Sequence, residues 1–181
     1  MVSAFDCDLF DGTMSVHGLG QEERSILRLA ALLHDIGDFV HPSSHHKQTQ
    51  YIIENSDFTG LPPEHRKIVA LVARFHRRAA PALRHARYAS LGSEDRVRVK
   101  ALASILRVAD ALDRGHRGKV ESIEVSTKKD ALQLTLVSKE DLSLETWTLE
   151  RKAGLFRDVF GMKVQTKTRG AHASATAPPE S

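Results

Sequence analysis

The residues best suited to chemistry are His34 and Asp35, at the end of the run Leu32-Leu33-His34-Asp35-Ile36-Gly37. Ile26, Leu29, Ala30 and Leu33 share one face of a helix leading into the pair. Polar groups continuing such a face are buried and need partners. A divalent metal is one such partner, because neutral imidazole and carboxylate both ligate it. The simpler alternative is a helix C-terminus, with Gly37 as the stop and His34 bonded to a terminal carbonyl. Three further polar positions interrupt apolar helices: His45-His46, His76 and Asp110. Asp110 falls between Val108-Ala109 and Ala111-Leu112, where a carboxylate must be paired or ligating. Histidines and aspartates from several helices meeting at one point would make a metal site able to activate water and clamp a phosphate oxygen.

A second group is basic. From His65 to Lys100 there are ten Lys or Arg against two acids, a local charge of +8 in a chain of +3, so the remainder is −5. Arg74, Arg77, Arg78 and Arg84 lie in this block, and guanidinium forks suit phosphate. A solvated basic loop is the plainer reading. Aromatic residues make up 6% of the chain, and only Phe75 and Tyr88 fall in the block, so base stacking there has little support.

These groups need a scaffold, and the patterning predicts a mainly α one. Helices are expected from Gln21 to about Asp35, Ser44 to Glu54, Pro63 to about His76, and Ser93 to Asp113, the last apolar nearly all round and hence central. Phe5, Leu9 and Phe10 have helical spacing but no evident partner. Val120–Thr127 and Ala131–Val137 alternate and read as a hairpin. An amphipathic helix over Leu142–Phe160 and a last strand over Met162–Thr166 complete a small β-β-α-β appendage. The expected organisation is a helical domain over 1–115, the appendage over 119–166, and a disordered tail over 167–181, which lacks large apolar residues. The 41% hydrophobic content suffices for a core. No apolar run reaches the roughly 20 residues that cross a bilayer, and the N-terminus lacks the pattern of a signal peptide. One cysteine, Cys7, excludes an internal disulfide and fits a cytoplasmic protein.

The order His-Asp, His, His, Asp resembles that of the HD superfamily of metal-dependent phosphohydrolases. More narrowly, Ala31–Gly37, His45-His46-Lys47 with Tyr51–Asp57, Val72–Arg78 and Leu106–Arg114 are similar to the C-terminal HD-type domain of the exopolyphosphatase/guanosine pentaphosphate phosphatase (Ppx/GppA) family. Leu149–Ala153 with Leu155-Phe156 and Val159-Phe160-Gly161 is similar to that family's C-terminal helix. The resemblance implies an HD-type bundle in which His34, Asp35, His46, His76 and Asp110 hold a divalent ion (Mn, Mg or Fe), with His34 and Asp35 at the reacting centre. It implies a phosphate-containing small molecule or polyphosphate as partner, with a homodimer possible. The chain departs from the family in two ways. The actin-like domains that carry the family's hydrolytic centre, with their glycine-rich phosphate loop, have no counterpart. The earlier histidine of a complete HD site has none either, since His17 sits beside Gly18 at a helix end. The chain therefore reads as an HD domain lacking its first helix, or as a piece of a longer protein. Two functions follow: a metal-dependent phosphohydrolase, or a non-catalytic module that binds polyphosphate or guanosine tetraphosphate or mediates dimer contacts.

Overall fold

The computed structural model describes residues 2–40 and 42–170. Helix α1 (Val2–Gly12) buries Phe5, Leu9 and Phe10. After a short helix α2 (Met14–His17), α3 (Gln21–Leu33) starts with Glu22 and Glu23 in its first turn, where the helix dipole favours acids. The Glu23 carboxylate accepts the Gly20 N–H at 2.9 Å. Helices α4 (His45–Asn55) and α5 (Pro63–Arg74) follow, α5 opening on a proline that needs no intrahelical donor. The basic connection contains a short helix, α6 (Ala86–Ala89), pinned by buried Tyr88, whose hydroxyl donates to Arg96 O at 3.1 Å.

Helix α7 (Ser93–Leu112) is the axis of the bundle. Val97 in its second turn is exposed, but from Ala101 onward every residue is buried, including Leu102, Ile105 and Leu106 at 0% exposure. Helices α1, α3 and α5 all pack on it. The partner of Phe5 and Phe10 is thus a helix nearly one hundred positions later in sequence, which local spacing cannot reveal.

The appendage is a three-stranded sheet in the order β1-β2-β3. Strands β1 (Ser122–Lys128) and β2 (Ala131–Ser138) form the expected antiparallel hairpin, with Ile123 opposite Leu136. β3 (Lys163–Gly170) runs parallel to β2. The crossover is two helices, α8 (Ser143–Lys152) and α9 (Gly154–Phe160), where one was expected. Gly154 is a poor helix former, and the break lets Leu155 and Phe156 turn into the core. Strand β3 also continues to Gly170, past the point at which a disordered tail was expected. Ladder bonds to β2 need only backbone, so Lys167 and Thr168 pair with Thr135 and Leu136 without apolar side chains. Residues 171–181 of that expected tail lie outside the described residues. One hydrophobic cluster runs from Phe5 through α7 to Met162, so the appendage shares the core of the bundle. No helix among the described residues is long and apolar enough to cross a membrane.

Asp6 is a flaw in this core: it is fully buried and neither carboxylate oxygen has a hydrogen-bond partner. Burial pushes its pKa up from 3.8 to about 6, outweighing the downward pull of the nearby Cys7 and Asp6 backbone and of the Arg28 and Arg24 charges. The folded state therefore holds this proton more tightly than the unfolded state. Stability should be greatest at low pH on this account and fall as pH rises to about 6. Asp6→Asn should exceed wild type by of order 1–3 kcal/mol above that pH. Urea melts at pH 5 and pH 8 check this. An equal stability of the two proteins at pH 8 would refute it.

Candidate metal centre

The site forms where helices end. Helix α3 stops at Leu33, leaving terminal carbonyls without intrahelical donors. His34 Nδ1–H donates to one of them, Ala31 O, at 2.7 Å. At the end of α5, His76 repeats the arrangement, with Nδ1–H donating to Ala73 O at 2.6 Å. Both hydrogen bonds place a proton on Nδ1 and turn each ring's Nε2 inward, the nitrogen that ligates a metal when it carries no proton. The two rings meet edge to face, with centroids 5.0 Å apart. The terminal-carbonyl reading of His34 and the ligand reading are thus compatible, because they use different nitrogens.

Asp35 lies between them. His34 Nε2 is 3.0 Å from Asp35 Oδ2, while His45 Nε2 and His76 Nε2 are 3.3 and 3.7 Å from Oδ1. His45 Nε2 and His76 Nε2 are themselves 3.2 Å apart. One ligand atom each from Asp35, His45 and His76 falls within 4.8 Å of the others. Burial works against the Asp35 charge, but its contact with His34 and the neighbouring imidazoles of His76 and His45 hold it well below the usual carboxylate range. Burial, with His34 alongside, pushes His76 well below the usual imidazole value, so it is neutral and able to ligate. Asp110 joins from α7, its Oδ1 3.7 Å from His34 Nε2, and its other oxygen is paired with the Lys152 ammonium from α8.

Helix α4 reaches this point through a close contact. A Cβ on Gly37 would sit 2.3 Å from His45 O and 2.4 Å from Thr49 N. Gly37 is therefore required for the close approach of α4. Thr49 ties the two segments together, accepting from Gly37 N–H at 3.1 Å and donating to His34 O at 2.9 Å. This seating brings in His45, where the sequence pointed to His46. His45 and Thr49 form one buried stripe of α4, and His45 Nδ1 lies 3.1 Å from Asp38 Oδ1. His46 faces a neighbouring cavity of about 260 Å³ with Arg74 and His85, its pKa lowered to about 4 by burial and by the charges of Arg74 and Arg77. His17 is occupied elsewhere: Nε2–H donates to Phe10 O at 2.9 Å and Nδ1 accepts from Leu19 N–H at 2.9 Å.

The cluster opens into a cavity of about 560 Å³. Of the four arginines singled out above, Arg77 and Arg78 line it, Arg74 lines the smaller cavity, and Arg84 is exposed on neither. Buried Arg107, which sequence reading passed over as an ordinary helix residue, fixes the chain that carries them. Its guanidinium donates to the carbonyls of Phe75, Arg78 and Ala79 at 2.7–2.9 Å. That grip holds Arg78 at φ 60, a left-handed conformation uncommon outside glycine. An arginine inside an apolar helix was the available signal. Trp147, Thr148, Arg151 and Lys152 of α8 also line the cavity. Nothing local to the appendage sequence placed them here.

Fold and cavity define a mainly helical domain whose basic, His/Asp-lined pocket suits a phosphate-bearing ligand. The family described as Ppx/GppA phosphatase, domain III, matches residues 2–153. The chain belongs to the Ppx/GppA phosphatase family. It is similar to guanosine-5′-triphosphate,3′-diphosphate pyrophosphatase of Aeromonas hydrophila, with 34% identity over 117 residues, covering 64% of this chain and 23% of the relative. The protein of the same name from Pseudoalteromonas translucida is 28% identical over 110 residues, covering 60% of this chain and 21% of that protein. The matched region is thus less than a quarter of the length of these curated relatives.

Thr49 offers a test of how the site is seated. Thr49→Val keeps the shape and removes both hydrogen bonds, leaving a buried N–H and C=O unpaired. Urea denaturation should show a loss of about 1–3 kcal/mol. A change below about 0.5 kcal/mol, the usual size for surface substitutions, would show that α4 is held by other contacts.

Proposed function

We propose that this chain is a metal-dependent, HD-type phosphohydrolase domain acting on phosphate esters or anhydrides. One observation carries the reading. The Nε2 atoms of buried His34, His45 and His76 all gather within 3.0–3.7 Å of the one Asp35 carboxylate, and His34 Nε2 makes no well-directed hydrogen bond. Three imidazole nitrogens converging on one carboxylate suit a shared cation. The donor set fits one: imidazole nitrogens of His34, His45 and His76 with carboxylates of Asp35 and Asp110 suit a borderline divalent ion such as Mn or Fe better than Mg. His46, included on sequence grounds, would serve only from the adjoining cavity.

A bound ion would supply Lewis-acid polarisation of a phosphoryl oxygen. The protein's own groups do the rest. Asp35 and Asp110 supply negative charge, the carbonyl contacts of His34 and His76 orient their rings, and burial keeps His76 neutral. Arg77 and Arg78 face the cavity and bind non-reacting phosphate oxygens. Arg74 extends the positive field into the smaller cavity, and Arg84 contributes at long range from the surface. Lys152, its pKa lowered to about 8 by burial and the charges of Arg77 and Arg107, neutralises Asp110 and adds a donor for phosphate. The reading places the protein in the cytoplasm, with a phosphate-containing small molecule or polyphosphate as substrate. The names of the two relatives denote hydrolysis and do not favour a purely non-catalytic module.

Equilibrium dialysis against Mn tests the site. Wild type should bind Mn, and Asp35→Asn should lose about tenfold or more in affinity. Because imidazole must be neutral to ligate, wild-type affinity should fall at acid pH, the contribution of His76 being lost only well below the usual imidazole range. Hydrolysis of bis(p-nitrophenyl) phosphate should require Mn and be absent in Asp35→Asn. Equal Mn retention by both proteins would overturn the site. Mn binding without hydrolysis would leave a phosphate-binding module.

A further inference from the structure

We infer that His116, on the loop between α7 and β1, is a further ligand of the metal centre, an exposed donor added to the buried ones. This rests on the metal reading of the cluster and extends it to a residue outside the helices that build it. Four imidazoles bring Nε2 close to the Asp35 carboxylate. His45 and His76 approach Oδ1 at 3.3 and 3.7 Å, and His34 approaches Oδ2 at 3.0 Å. The fourth is His116, whose Nε2 lies 3.8 Å from Oδ2. Two donors each about 2.1 Å from one ion are at most about 4.2 Å apart, so this separation allows a shared cation. His116 and Asp35 both line the main cavity.

An exposed imidazole near a carboxylate is by itself an ordinary surface pair. The backbone of His116 is not ordinary. Its φ is 50, a left-handed conformation that a side chain makes costly. Glycine takes such a conformation freely, and Gly115 and Gly118 stand on either side, Gly118 itself at φ 63. The strained position nonetheless carries the ring. The loop is tied to the end of α7 by buried Asp113, whose carbonyl accepts the His116 N–H at 2.9 Å and whose carboxylate accepts the Gly118 N–H at 3.0 Å. Asp113 follows three residues after Asp110, so the helix that delivers one carboxylate to the cluster also anchors the loop that delivers His116. The tightest group of donors is Asp35 with His45 and His76, and His116 stands beside it. Its side chain is 57% exposed, whereas those of His34, His45 and His76 are 2–8% exposed. A buried donor set fixes where the ion sits, and an exposed donor on a loop occupies a position that water would otherwise take.

His116→Gly is the informative variant, because glycine suits φ 50 and the loop keeps its backbone. Urea melts without metal should show stability equal to or above that of wild type. Equilibrium dialysis against Mn should show about a tenfold loss of affinity, the scale on which groups that shape a metal site act. Solvent-proton relaxation per bound Mn²⁺ should rise, since a water replaces the imidazole. Added imidazole should restore the affinity of His116→Gly and lower its relaxation, and should not rescue Asp35→Asn. Wild-type affinity and relaxation in His116→Gly would overturn His116 as a ligand and leave the centre on its buried donors. A loss of affinity with no change in relaxation and no rescue by imidazole would overturn it equally, by making the residue structural. Failure of the wild type to bind Mn would overturn both the centre and this addition to it.

Discussion

The site depends on two hydrogen bonds from histidine to the end of its own helix. An α-helix finishes with carbonyls that have no donor, and such groups must be satisfied when the end is buried. Here α3 and α5 finish side by side inside the protein, and each is closed by an imidazole reaching back three residues. Closing the helix fixes the ring and the Nδ1 proton at once. The nitrogen left over is aimed inward in both cases, and Asp35, the residue after His34, stands between them. A stability requirement and a chemical one are met by the same side chain.

The rest of the fold keeps these two helix ends adjacent. Helix α7 supplies the buried surface on which α3 and α5 lie, and Arg107 from its middle reaches three carbonyls just beyond α5. Gly37 and Thr49 bring α4 to the same place, which seats His45 opposite His76 as a stacked pair with ring centroids 5.3 Å apart. The appendage adds α8 to the lining of the cavity. Because its helices share the apolar core of the bundle, the wall bearing Trp147 and Lys152 is held by the same packing that holds the ligand residues.

Much of this was legible in the sequence because its signals are local. Helical periodicity gives α3, α5 and α7, alternation gives the hairpin, and the ordered His-Asp, His, His, Asp blocks give the family and a cluster that includes His34, Asp35, His76 and Asp110. The choice between His45 and His46 was not legible. Both begin a plausible helical stripe, and only the close packing of Gly37 on α4 decides which one faces the centre. Neither was the contribution of α8: its helical pattern is local, but its place against the cavity depends on how the crossover from β2 to β3 packs on α7. The basic block shows the same limit: its charge is a property of the sequence, but the split of Arg74, Arg77, Arg78 and Arg84 between two cavities and open surface is a property of the fold.

The central claim is that His34, His45 and His76 turn Nε2 towards a shared cation position beside Asp35. Imidazole resonances in a long-range proton–nitrogen NMR spectrum, followed during titration with paramagnetic Mn²⁺, test it most directly. The account predicts that the ring signals of these three histidines broaden first and together, while those of His17 and His65 stay sharp. Broadening centred on His46 and His85, or none that distinguishes the three rings from His17, would contradict it.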